Sequence, residues 1–438
     1  MAERIGFIST RFAGSDGVSL ESAKWAEVLR GYHHDIFWYA GRLDRPSEES
    51  MCVPEAFFAH PENEWISRRI WGGNVRERLV TQRIRDMAEY LKETLYEFVD
   101  RFDVTLLVVE NALSIPMHLP LGAALTEFLA ETRLPAIGHH HDFYWERSRY
   151  ALNAVHDLLD ACFPPRDPNL RHVVINQAAL EELSWRRGVP SMLIPNVLDF
   201  EKPPRRLPRS ATRELRQRLG LQPDRFMILQ PTRVVPRKGI EHAIQLVEML
   251  GEDKYVLVIS HEAGDEGLEY RHALSQAASD AGVNLRFIVA EPGGIAAKDP
   301  VSAFRSSRHR EEVRKRWDEG RFTLGEIYQC ADLVTYPSLY EGFGNAFLEA
   351  VYYGVPLVVN RYATFTRDIE PKGFRVIVME GFVSRHVVEE VRKVLADPGR
   401  RKEMARHNYE RARRFYSYAV LRRSLRTLIM GIRGYEMA

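Results

Sequence analysis

The chain has 438 residues, a formal net charge of +1 and 45% hydrophobic residues, enough to build substantial cores in two to three domains. That near-neutral balance argues against a nucleic-acid binder, which needs a basic surface on a known binding module. The three cysteines, Cys52, Cys162 and Cys330, match no metal or redox spacing, which excludes a disulfide scaffold and fits a reducing compartment.

The N-terminus, MAERIGFIST, enters a strand-like run without the apolar core of a signal peptide. No apolar run approaches the ~20 residues of a membrane helix. A soluble, cytoplasmic protein is expected, with peripheral membrane contact left open. Arg4–Ser9 reads as a strand. The loop RFAGSDGVS follows, with Gly14 and Gly17, and then a helix over Leu20–Gly31 with Ser19 as its N-cap. The loop is not the six-residue dinucleotide fingerprint. It is either a plain strand-to-helix turn or a backbone loop under a sugar or phosphate, and the second reading is favoured.

Asp35–Tyr39 is a second strand, residues 42–75 read as irregular, and Arg76–Arg101 has the pattern of a long amphipathic helix. Arg68, Arg69, Arg76, Arg78, Arg83 and Arg85 read first as a solvated face, and second as neighbours of an anionic acceptor. Val104–Glu110 is short and apolar enough to be a buried strand, Leu121–Thr132 is helical, and Leu134–Gly138 is another strand.

The run HHHDFYWERSRY then stands where a parallel strand would end, and ligands bind outside such ends. Adjacent residues on an extended chain point to opposite sides, so His139, His140 and His141 do not readily share one metal ion. Asp142, Tyr144, Trp145 and Arg147, with Phe143, Glu146 and Arg149, suit a sugar-binding surface, because aromatic faces pack on sugar C–H faces and arginine forks hold anions.

Ala151–Leu159 is predicted helical, Arg171–Asn176 a strand and Gln177–Arg187 a helix. Pro203, Pro204 and Pro208, with arginines between them, read as a linker. The domain boundary is therefore set at 203/204, with one domain over 1–203 and the other over 204–415. The pattern restarts with a helix near Ala211–Leu219 and a strand over Phe226–Gln230. Arg233 and Lys238 follow, five positions apart, with Gly239 opening a helix; two cations at a helix start make a diphosphate clamp. Tyr255–Ser260 and Asn284–Val289 are further strands. Residues 291–322 read as an insertion. Its 305–321 part holds seven Lys/Arg against four Asp/Glu, which reads first as a solvated helical insertion and second as a surface for oligomer contacts or a membrane.

Leu333–Asn360, LVTYPSLYEGFGNAFLEAVYYGVPLVVN, reads as strand, glycine-rich turn, helix and strand. The helix starts at about Asn345 and ends at Gly354, with Pro356 blocking continuation. Glu341, Gly342, Phe343 and Gly344 form the turn, and Asn345 and Ala346 open the helix, whose N–H groups favour a phosphate. Glu349 lies inside it. Arg375–Glu380 is a strand, and Ser384–Leu395 and Arg400–Phe415 are helices. Arg400–Arg426 holds ten Lys/Arg against two Asp/Glu, basic enough to raise anionic lipid as a hypothesis.

Repeated βα units on both sides of the linker predict two doubly wound α/β domains. The stretch around Glu341 and Glu349 resembles the E-x7-E signature of family-4 glycosyltransferases, and Arg233 and Lys238 are similar to that family's diphosphate pair. The resemblance implies a GT-B fold with Rossmann-like domains facing across a cleft, and residues 416–438 packing back on the first. It implies a retaining hexosyl transfer from a UDP- or GDP-sugar to an acceptor hydroxyl. Gly14 and Gly17 would face the donor, and Glu341 the transferred sugar. Glu349 would accept from the ribose, and His140 would bond the sugar, with His139 and His141 as alternatives in register. His141, Asp142, Tyr144, Trp145 and Arg147 would take the acceptor. The first-domain stretches look like those of enzymes acting on small anionic sugars, of the mannosylglucosylglycerate synthase type. No cofactor or metal is expected, because the two cations already face the diphosphate. A homo-oligomer stays open. The rival readings are a sugar-nucleotide epimerase of the same fold and a non-catalytic nucleotide-sugar scaffold.

Overall fold

The structure, a computed structural model, describes residues 2–14, 16–261, 268–288, 290–291 and 307–434. The chain forms two compact units, one of residues 1–196 with 419–438 and the other of residues 197–418.

In the first unit, strands β1 (Arg4–Ile8), β2 (Asp35–Ala40), β3 (Ser50–Cys52), β4 (Leu106–Glu110), β5 (Ala136–His140), β6 (Leu170–Val174) and β7 (Ser191–Leu193) make one sheet in the order β3-β2-β1-β4-β5-β6-β7. Every pairing is parallel. β4 and β5 are buried along their whole length, which is why they read as unbroken apolar runs rather than alternating ones. The order reverses between β1 and β4, and in sheets of this kind ligands bind outside the carboxyl ends of the strands at such a switch point.

Helices α1 (Gly17–Arg30), α2 (Pro61–Ile70), α3 (Arg78–Phe102), α4 (Leu119–Thr132), α5 (His156–Cys162) and α6 (Gln177–Arg187) connect these strands. Three of them differ from expectation. α1 begins three residues early, because Asp16 is its N-cap: Val18 N and Ser19 N donate to Asp16 Oδ1 at 3.1 and 3.2 Å, and Ser19 Oγ donates to Oδ2 at 2.6 Å. The segment read as irregular contains α2, which Pro61 starts at its first position, and Asn63, Ile66 and Ile70 bury one face at helical spacing. The helix expected over Ala151–Leu159 forms only from His156; the preceding residues make two short 3-10 turns, Tyr144–Glu146 and Ser148–Tyr150.

The second unit opens with α7 (Arg209–Arg218). Its six-stranded sheet uses β8 (Phe226–Gln230), β9 (Tyr255–Ile259), β10 (Asn284–Phe287), β13 (Leu333–Tyr336), β14 (Leu357–Asn360) and β15 (Ile377–Met379). The order is β10-β9-β8-β13-β14-β15, again all parallel. The switch point here falls between β8 and β13. α8 (Ile240–Leu250), α9 (Leu268–Asp280), α12 (Asn345–Tyr353), α13 (Arg385–Ala396) and α14 (Pro398–Phe415) flank the sheet.

The predicted insertion contributes a short parallel pair, β11 (Ala290–Glu291) and β12 (Phe322–Thr323), and the helix α10 (Ser307–Asp318), before α11 (Leu324–Cys330). α10 is tied to α7 by Arg218 donating to Asp318 at 2.9 Å and Arg314 donating to Glu214 at 3.1 Å. Residues 292–306 and Val289, the end of a predicted strand, lie outside the described residues.

The last helix, α15 (Tyr418–Arg433), belongs from Ala419 onward to the first unit. Leu421, Leu425 and Leu428 are buried, and Arg433 pairs with the buried Glu3. No described helix is both long and apolar enough to cross a membrane.

Candidate active site

In the second unit, the residues singled out by sequence collect at the carboxyl ends of β8 and β13. Arg233 lies exposed in the loop after β8, and Pro236–Lys238 makes a 3-10 turn that Gly239 closes at φ 59°. A Cβ on Gly239 would come within 2.5 Å of Pro337 O, so this glycine lets the two loops touch. Leu339 N donates to Arg237 O at 2.9 Å and fixes them together.

Lys238 and Glu341 are both 8% exposed and form an ion pair. Arg237 adds a second cation, donating to Glu341 Oε2 at 3.3 Å and to Tyr340 O at 3.2 Å. Burial pushes the Lys238 ammonium down; Glu341 opposes this, while Arg237 and Arg233 push it further down. Burial works against the Glu341 carboxylate, but Lys238 and then Arg237 override it and hold it below its ordinary range. The result is an ionised, fixed carboxylate beside two cations, with Arg233 near Lys238.

The glycine-rich turn depends on its neighbours. Gly344 has φ 125°, where only glycine is at ease, and a Cβ there would meet the Tyr362 hydroxyl at 2.5 Å. That hydroxyl donates to Phe343 O at 3.0 Å, and Thr364 Oγ1 donates to Glu341 O at 2.9 Å. The buried Phe343 ring packs edge-on against Tyr416. α12 therefore starts at Asn345 with Gly342, Asn345 and Ala346 partly open. Glu349 sits one turn further, its Oε2 accepting from the buried Tyr328 hydroxyl at 3.0 Å.

His261, just after β9, is a residue that sequence reading missed. Burial, with Lys238 and Arg233 nearby, pushes its imidazole down to about 4, so it faces this group as a neutral ring. Its only sequence signal was its place at the end of an apolar strand.

In the first unit, the loop after β1 is held by Gly14 N donating to Asp44 Oδ2 at 2.8 Å, and Gly17 opens α1 behind the Asp16 cap. Across the switch point, the three histidines separate. The His140 ring is fully buried. It stands 3.0 Å from His172 Nδ1 and packs on Phe143. Burial pushes both imidazoles down, His172 to about 4. The expectation that His140 bonds the sugar is revised accordingly, because its ring points into the sheet's packing.

His139 and His141 turn to the other side, as alternation on a strand requires. Both donate to Glu110 Oε2, His139 Nδ1–H at 2.9 Å and His141 Nε2–H at 3.2 Å. Burial opposes ionisation of Glu110, but His139 and His141 hold its carboxyl down at about 2. His139 is covered by Trp25, stacked at 4.1 Å, whereas His141 keeps part of its surface open. Among the described residues, Glu110, His139 and His141 are the group close enough to share a metal ion, but their separations are those of hydrogen bonds.

Asp142 accepts from Asn111 Nδ2 at 3.0 Å and pairs with Arg147. Tyr144 and Trp145 are revised as acceptor residues. Trp145 stacks on Phe143 at 4.4 Å, lies under Arg186 and joins a small core with Val174 and Leu183. Tyr144 is partly buried against the main core. Their aromatic faces are used in packing.

The group 1 glycosyl transferase family model matches residues 311–411. The chain is 31% identical to mannosylglucosylglycerate synthase of Thermotoga maritima, over 94% of this chain and 96% of that one. It is 29% identical to the synthase of the same name from Petrotoga mobilis, over 85% and 86%. The fold is similar to that of HepE from Anabaena in complex with UDP and glucose, with a TM-score of 0.63, 14% identity and coverage of 98% and 99%. Two parallel-sheet Rossmann-like units of this kind make the GT-B fold.

Proposed function

The chain belongs to the glycosyltransferase family that holds the mannosylglucosylglycerate synthases, and from that premise we propose that it moves a hexosyl unit from a UDP- or GDP-sugar to a hydroxyl of a small anionic glycerate derivative, with retained anomeric configuration. The observation that carries this reading is the buried Lys238–Glu341 pair beside Arg237 and Arg233, at the strand ends where α12 begins. Departure of a nucleoside diphosphate leaves an oxocarbenium-like sugar and a leaving group gaining negative charge. Arg233, Lys238 and the N–H groups of Phe343–Ala346 take that charge. Glu341 holds sugar hydroxyls and stabilises the positive ring, and Glu349 accepts from the ribose.

On the first unit, His141 replaces His140 as the imidazole that bonds the sugar, since it is the strand-end histidine with open surface. Asp142 and Arg147 stay as acceptor contacts, and Gly14 and Gly17 line the loop. With Arg233 and Lys238 at the diphosphate, no metal ion is assigned.

The test is an assay of nucleotide release with UDP- and GDP-sugars against glycerate derivatives, sugar phosphates and lipid acceptors, with the product's anomeric configuration read by NMR. Transfer to a glycerate derivative with the donor's configuration is expected. Turnover only with lipid acceptors, or conversion of donor alone to an epimer, overturns the reading.

A further inference from the structure

Glu110 is a fully buried carboxylate of the first unit to which the proposed donor and acceptor binding gives no role. Its carboxylate is fully buried at the end of β4, where an unpaired charge is costly. Yet the groups that answer it are two imidazoles rather than a lysine or arginine. One of them, His139, is sealed under Trp25; the other, His141, reaches open surface.

The next residue completes the hold. Asn111 lies in the left-handed region at φ 61°, and its Oδ1 accepts from His141 N at 2.9 Å and from Ser114 Oγ at 2.9 Å. Two consecutive residues thus fix both the ring and the backbone of His141. Among the described residues no group bonds the Nδ1 of that ring.

We propose that Glu110 is a positioning residue for His141: with His139 it forms one hydrogen-bonded unit that anchors Nε2–H and presents the Nδ1 lone pair of His141 to a hydroxyl of the bound sugar. The inference rests on the proposed role of His141. An imidazole whose N–H is held by a carboxylate has one defined tautomer, with its second nitrogen left bare as an acceptor. Such an acceptor at the sugar adds electron density where the oxocarbenium-like charge develops. Without Glu110 the ring is free to rotate or to change tautomer, and that preorganisation is lost.

The test is a double-mutant cycle on the full chain with Glu110→Gln, His141→Ala and the pair, measuring kcat and donor KM for transfer. His141→Ala is expected to lower kcat roughly 10²-fold. Glu110→Gln is expected to lower it about 10–100-fold, the range for losing an orienting partner, with donor KM nearly unchanged. In the His141→Ala background, Glu110→Gln should then cost nothing further. A fully additive loss, or an active Glu110→Gln, overturns the positioning role while leaving the site reading intact. A fully active His141→Ala overturns the site reading itself, and the inference with it. If Glu110→Gln does not fold, 15N NMR of the native protein decides: a protonated Nε2 and bare Nδ1 on His141 support the inference, and the opposite tautomer refutes it.

Discussion

Replacing Lys238 by alanine separates the chemistry of the site from its stability. Its Nζ is one of two cations on a carboxylate that is 8% exposed, and the other, Arg237, is 41% exposed at 3.3 Å. Removing one partner of a buried pair costs about 3–5 kcal/mol. Arg237 stays, and Lys238 no longer pays its own desolvation, so the lower end, about 3 kcal/mol, is expected. For a domain of this size each kcal/mol lowers Tm by about 2–4 °C. The variant should therefore melt roughly 6–12 °C lower but fold at 25 °C. Its turnover should fall ~10²–10³-fold, as for loss of one charged stabiliser of a leaving group. Because that charge is largest at the transition state, kcat should fall more than UDP or GDP affinity. The control is Arg237→Ala, whose half-exposed pairing is worth about 0–1 kcal/mol after solvent screening. The assays are thermal melting, calorimetric titration with UDP and GDP, and nucleotide release. A folded Lys238→Ala enzyme with unchanged kcat refutes the clamp.

Other outcomes follow from single groups. Gly344→Ala puts a Cβ 2.5 Å from the Tyr362 hydroxyl at φ 125°, so it should destabilise the second unit by about 1–3 kcal/mol and abolish tight nucleotide binding, read by melting and titration. Asp16→Ala removes the α1 cap and should cost about 1 kcal/mol, with a loosened Gly14 loop seen as faster amide exchange there. His118 and His172 are held near 4, below the 6.5 of a free imidazole, so the unfolded chain takes up their protons first as pH falls. Stability should thus be lost between pH 6.5 and 4, on the order of 3 kcal/mol per group. Glu110, held at about 2, adds a further loss only as pH falls from 4.5 toward 2, a part that Glu110→Gln should remove from the acid melting curve. A melting temperature that stays flat from pH 7 to pH 4 would contradict the histidine assignment.

Much of the molecule was legible along the chain. The alternation of short apolar runs with amphipathic ones marked the longer strands, because parallel strands buried on both faces are apolar throughout, but not the two- and three-residue β3, β7, β11 and β12. Gly354 and Pro356 marked the end of α12, and short motifs singled out Lys238 and Glu341, which the fold brings together. These are local signals: turn chemistry, helix caps and short motifs act over a few residues.

What only the tertiary structure decided involves partners far apart in sequence. Alternation put His139 and His141 on one side and His140 on the other, but which side meets Glu110 and which meets His172 depends on β4 and β6, about thirty residues away. Trp145 looked like a sugar platform until Phe143, Val174 and Leu183 were seen to need its face. Arg237 drew no notice along the chain, and its place beside Glu341 exists only because the loop after β13 comes against it. A sequence states which groups are able to bond; burial and the neighbouring strands decide which of them are used up by the fold and which are left to face a ligand.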